Sequence, residues 1–149
     1  MNHRPYPATS AAAKARGFTL IEIMVVVIII GLLAAVIVPQ VVSKVDEARI
    51  SKAKEDIQAL ETALTEYRLD NSTYPSNDDG LDALMKQPND PSVTHWHGPY
   101  VQRLSKDPWG HSYQYEYPGT HGLPYDLYTL GAAGQPGGSD TIGNWNLSD

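Results

Sequence analysis

The chain has 149 residues, a formal net charge of −6 and no cysteine, so it has room for one modest domain that no disulfide can staple. Its apolar residues, 42% of the total, crowd the front half and leave a polar remainder, so the chain reads in two parts. Residues 1–17 carry Arg4, Lys14 and Arg16 with no acid; removing those three positive charges takes −6 to −9, a balance that disfavours nucleic-acid binding, which wants a basic face.

The first element follows the basic flank. Residues 18–38 form an apolar run of 21 residues whose single ionisable side chain is Glu22. At about 1.5 Å per residue a helix of that length covers roughly 30 Å, the hydrocarbon thickness of a bilayer. A cleaved secretory signal also begins basic and turns apolar, but it is cut after a shorter apolar region of about 7–15 residues. Pro39 and the helical sequence beyond it favour a segment that is kept. Lys14 and Arg16 predict a cytoplasmic N-terminus. Lys44, Arg49, Lys52 and Lys54 on the far side are interspersed with Asp46, Glu47, Glu55 and Asp56, so they oppose that orientation only weakly.

A charged acid at the centre of a bilayer costs on the order of 2.5–3.5 kcal/mol, so an intramembrane carboxylate calls for a partner or a way out. Glu22 has two readings. Near one end of the run, it reaches the interface; or cleavage between Gly17 and Phe18 creates an α-amino group four residues away, to meet it on the same or a neighbouring helix. The stretch Lys14-Ala15-Arg16-Gly17 followed by Phe18-Thr19-Leu20-Ile21-Glu22 and the apolar run to Pro39 resembles the type IV pilin and pseudopilin superfamily. The resemblance implies that a prepilin peptidase cuts after Gly17 and methylates the Phe18 amine, and that Glu22 pairs with the amine of an adjacent subunit. It divides the chain into a cleaved leader (1–17), a transmembrane and assembly segment (18–39) and a periplasmic domain (40–149).

Proline removes a backbone donor, so Pro39 is expected to bend or locally open the helix without ending it. Beyond it Ala53, Ile57, Leu60, Leu64 and Tyr67 recur at offsets 0, 4, 7, 11 and 14, one apolar stripe opposite Lys52, Lys54, Glu55, Asp56, Glu61 and Glu66. The spacing predicts one helix over about 18–69, with the stripe as the seat of a small sheet. Asp70-Asn71-Ser72 and Tyr74-Pro75-Ser76 end it. Residues 79–85 suit a short helix with Leu81, Leu84 and Met85 inward, closed by Pro88 and Pro91. Residues 99–104 read as a short extended piece, and Asp107-Pro108-Trp109-Gly110 as a turn. Residues 112–117 and 125–130 alternate and are rich in β-formers, which predicts an antiparallel hairpin packed on the stripe. The glycine-rich tail from Gly131 to Asp149 contains Trp145, an expected anchor. The fold class is therefore α+β, a long N-terminal helix on a small antiparallel β-sheet.

Asp70-Asn71 with Tyr74-Pro75, Asp107-Pro108-Trp109-Gly110 with Tyr113-Gln114-Tyr115, Asp126-Leu127-Tyr128 with Leu130-Gly131-Ala132, and Ile142-Gly143-Asn144-Trp145 look like the major pseudopilins of type II secretion. That resemblance implies the pseudopilin fold and Ca²⁺ in the C-terminal loop, held by aspartates and backbone carbonyls. This chain departs from the pattern. Ala133 and Thr141 stand where the family often has aspartate, which leaves Asp140 as the loop's one acid and Leu130 as a source of a backbone oxygen. Glycine packing and hydrogen bonding are the alternative staple. His95 and His97 would present two imidazoles on one side of an extended segment, without a third ligand. Neither a nucleophile elbow nor a glycine-rich phosphate loop is present, and no enzyme is expected.

The resemblance implies the major structural subunit of a periplasmic pseudopilus that helps export folded exoproteins. The implied partners are further copies of the chain, minor pseudopilins, prepilin peptidase, an inner-membrane platform protein, an assembly ATPase and an outer-membrane secretin. The alternatives are a type IV pilin for adhesion, motility or DNA uptake and, in another class, a membrane-anchored binding domain that never polymerises.

Overall fold

The computed structural model describes residues 17–148, apart from the side chains of residues 38–41. The described chain forms two compact units, the first ending at Val41 and the second beginning at Val42. Helix α1, Leu20–Asn71, is 52 residues long and contributes to both. In the first unit the apolar side chains are open to the surroundings, from Phe18 (85% exposed) to Ile37 (55%). This helix is long and apolar enough to cross a membrane. Its helical run passes through positions 38–41, so Pro39 does not end the helix, as expected.

In the second unit the predicted stripe is the inner face of α1: Ala53, Ile57, Leu60, Leu64 and Tyr67 are all buried, with Ala63 added between them. Offsets of three, four and seven bring these positions to one side of a 3.6-residue turn. The same core takes in Leu81, Leu84, Val93, Tyr113, Tyr125 and Leu127. Helix α1 ends at Asn71, whose side-chain amide donates to the Tyr67 carbonyl; Ser72 takes a left-handed φ of 62° and its amide closes on Arg68.

Residues Gly80–Leu84 form a 3-10 helix, begun by a turn in which the Ser76 hydroxyl donates to Asp79 and the Gly80 amide to the Ser76 carbonyl. Leu81 and Leu84 are buried, as expected, but Met85 is only half-buried. With three residues per turn, positions 81 and 84 eclipse each other and position 85 falls beside them. Residues 99–104 correct a second expectation: they are irregular and pair with no strand. The amides of Tyr100 and Val101 both donate to the Leu84 carbonyl, at 2.8 and 3.2 Å, which ties the segment to the 3-10 helix.

The predicted hairpin is present as β1 (Gln114–Glu116) and β2 (Asp126–Thr129), antiparallel with Tyr115 opposite Leu127. A third strand not anticipated from the sequence, β3 (Ile142–Gly143), pairs antiparallel with the other edge of β2, giving the order β1-β2-β3. Strand β2 is thereby paired along both of its edges. Tyr125, Leu127 and Thr129 face the core, while Asp126 on the opposite face is also buried. Asn77 caps the outer end of β1, exchanging two bonds of 2.7 Å with the backbone of Tyr117.

Candidate functional site

The first turn of α1 carries the residues singled out at the N-terminus. Thr19 precedes the helix, and its amide and hydroxyl donate to Glu22 Oε2 at 2.7 and 2.9 Å; the Glu22 amide donates back to the Thr19 hydroxyl at 3.3 Å. This is a capping box, in which Thr at the N-cap and Glu three residues on satisfy donors that the helix start leaves over. The signal, Thr-x-x-Glu ahead of an apolar run, stands in the sequence, but the carboxylate drew attention as a membrane anomaly and its capping role was missed. Capping uses one carboxylate oxygen for two donors. An ionised carboxylate has about four lone-pair sites, so capacity for an ammonium group remains.

Gly17 and Phe18 are exposed and precede the helix. Among the described residues a Cβ built on Gly17 meets nothing within 4 Å, and its φ lies outside the left-handed region. Neither backbone conformation nor local packing therefore demands glycine at position 17.

The C-terminal loop holds the positions singled out for a metal. Ala133 is exposed; Asp140 is exposed and accepts the Ser139 hydroxyl at 3.0 Å; Thr141 is half-buried, with its hydroxyl oxygen shut in and unbonded. Among the described residues no group of three or more His, Asp or Glu is placed to hold a metal. The same holds for His95 and His97: His95 Nδ1 lies 2.9 Å from the Thr94 hydroxyl, and His97 Nδ1 lies 3.5 Å from Asp70. The residue between them carries the structural weight, as Trp96 Nε1 donates to the Ala83 carbonyl at 2.8 Å.

Two buried carboxylates emerged that the sequence reading did not single out. Asp107 accepts the Trp109 and His111 amides through Oδ1, at 3.0 and 2.8 Å, and the Thr129 hydroxyl through Oδ2, so it joins the 107–111 turn to the end of β2. Asp126 gathers the loop between β1 and β2. It accepts the Thr120 amide at 2.8 Å and hydroxyl at 2.7 Å, with His121 Nδ1 at 2.8 Å. Burial pushes the Asp126 carboxyl up, but the bonds from the Thr120 amide, the His121 ring and the Thr120 hydroxyl outweigh it and hold it below the usual range. The His121 ring lies flat on Trp145, with 3.7 Å between centroids and 4° between planes. Trp145 thus pins the tail, half-buried, to this loop.

Residues 40–145 match the family of type II secretion system (T2SS) protein G, and residues 12–38 match the prokaryotic N-terminal methylation motif. The chain belongs to the T2SS protein G family. It is 55% identical over 135 residues to the type II secretion system core protein G of Pseudomonas aeruginosa, covering 87% of this chain and 94% of that one. The core protein G of Vibrio cholerae is 51% identical over 140 residues, covering 91% and 95%. The crystal structure of the major pseudopilin from the type 2 secretion system of enterohaemorrhagic Escherichia coli aligns with a TM-score of 0.66 at 38% identity, covering 72% of this chain and 91% of that one. The fold is therefore that of a major pseudopilin, as the sequence implied, and the surface-pilus alternative is set aside. Pseudopilins are structural subunits, not an enzyme family.

Proposed function

We propose that this protein G family member is the major subunit of a periplasmic pseudopilus, held in the inner membrane by a single span before it assembles. The observation that carries the reading is the first unit of α1, where apolar side chains lie exposed over 18–37 and the one ionisable group, Glu22, sits in the opening turn. Such a surface is soluble only in lipid or against copies of itself. Lys14 and Arg16 stay cytoplasmic, and the domain from residue 42 onward lies in the periplasm.

Prepilin peptidase removes residues 1–17 and methylates the Phe18 amine. Because glycine at 17 answers no demand of this chain's own fold, its use there is best assigned to the protease that reads it. As a subunit leaves the bilayer, Glu22 accepts the Phe18 ammonium of a neighbour. That contact neutralises a charge costly in lipid and penalises wrong register, since a misaligned helix leaves the carboxylate unpaired. Pro39 permits local opening of the helix as subunits pack. The machinery that acts on the filament comprises minor pseudopilins, the platform protein, the assembly ATPase and the secretin, with folded exoproteins as cargo. The family name, the methylation motif and the two-part chain support this reading together.

The experiment is the partition of exoproteins between periplasm and medium in a deletion strain, with and without the gene restored. Periplasmic accumulation reversed by the gene is the expected result. Unchanged secretion in a strain with no second such system overturns it, and chain that stays unprocessed and monomeric beside an active peptidase favours the anchored binding domain.

A further inference from the structure

We propose that the C-terminal loop of this chain is closed by its own side chains and not by a divalent cation, so that the domain's stability is independent of calcium. The inference concerns the loop alone and stands whether or not the secretion role holds. Calcium takes about six to eight oxygens, and its affinity rises with the number of charged ligands. Between Leu130 and Thr141 the chain offers one carboxylate, Asp140, which is exposed and engaged by Ser139. The enclosed Thr141 hydroxyl is the one buried side-chain atom there without a hydrogen-bond partner, and it is neutral. With the Leu130 carbonyl added, the set is still far short in number and in charge.

What a cation would do for such a loop is already done at both of its ends. At the start, the buried Thr129 hydroxyl donates to Asp107 and accepts the Gly131 amide at 3.1 Å. At the finish, Asn144 locks the tail to β2: its Oδ1 accepts the Leu127 amide, and its Nδ2 donates to the Tyr125 carbonyl, both at 3.1 Å. Asn146 closes the next turn, accepting the Gly143 amide at 2.8 Å and donating to the Thr141 carbonyl at 3.3 Å. Between these ends the two sides of the loop touch directly. Gly131 has φ +64°, and a Cβ there would come within 2.1 Å of the Asp140 carbonyl oxygen, so at this point the two sides of the loop meet backbone to backbone.

The test is thermal unfolding of the processed full-length chain in detergent micelles, in excess EDTA and in about 10 mM CaCl₂, well above the roughly 1 mM dissociation constants of weak protein sites. Equal midpoints in the two conditions are expected, with Asp140→Ala matching the unsubstituted chain in both. Asn144→Ala should lower the midpoint by the same several degrees with and without calcium. A midpoint of the unsubstituted chain that falls in EDTA and is restored by CaCl₂ overturns the proposal, and loss of that response in Asp140→Ala would place the ion in this loop.

Discussion

Thr19 and Glu22 cap the first turn of α1 reciprocally, two donors of Thr19 converging on one oxygen of the Glu22 carboxylate. Capping and intersubunit pairing make different demands on position 22, and this separates them. Glutamine keeps a capping box, whereas alanine loses it. Glu22→Ala and Glu22→Gln are both expected to insert and be processed but to give few filaments, because neither carries the charge proposed to meet the Phe18 amine. Filament yield by shearing and immunoblot checks this. Normal yield from the glutamine variant would reduce Glu22 to a cap at the helix start.

Gly17→Leu should abolish processing while leaving the folded domain unchanged, since no neighbouring atom within 4 Å contests the new side chain. Mass spectrometry of the membrane fraction reads the N-terminus, and far-UV melting reads the fold. A mature Phe18 terminus in this variant would remove the cleavage assignment.

Leu64 and Leu69 lie on the same helix, yet Leu64 is fully buried and Leu69 is 77% exposed. Leu64→Ala should cost about 2–5 kcal/mol, the lost transfer energy plus the cavity left behind. Leu69→Ala should stay within about 0.5 kcal/mol. Urea titration checks both, with the midpoint moving and the slope holding.

The elements that were legible in the sequence are those whose period is sustained. The stripe from Ala53 to Tyr67 runs over four turns, and the tyrosines at 113, 115 and 117 alternate, so each states its buried face without help from the rest of the chain. Strand β3 was not legible because two residues, Ile142 and Gly143, have no period; β2 defines them by pairing. Residues 99–104 have strand composition, but the Leu84 carbonyl claims two of their amides. Asp107 and Thr129 are 22 positions apart and meet only once the hairpin has closed, and Asp126 looks like an outward strand position until the 118–122 loop folds over it. At the N-terminus the methylation motif was plain because its parts are adjacent in sequence, although the Thr19–Glu22 cap inside it was passed over. In the C-terminal loop the missing acids at 133 and 141 were visible, and the bonds that Asn144 and Asn146 make there were not, since an amide declares no role before its partners are placed.

Asp126 also makes stability depend on pH in a stated direction. Its carboxyl is held below the ordinary aspartate value of 3.8 in the folded chain, so on acidification the unfolded chain takes up this proton first. The stabilisation is complete well above pH 3.8, and it is lost as the pH falls through the lower folded value. Glu61 works the other way: burial raises its carboxyl despite a hydrogen bond from Asn144, so protonating it favours the folded state near its own range. A bare melting curve against pH therefore sums opposing contributions, and the comparison needed is between the unsubstituted chain and Asp126→Asn. The variant should be the less stable of the two at pH 7, because asparagine loses the charge that the Thr120 and His121 donors face. The gap between them should narrow steadily as the pH is taken below 3.8, where the native Asp126 becomes neutral too. A gap that stays constant down to the acid transition would mean that Asp126 holds the 118–122 loop by shape alone, with its charge contributing nothing.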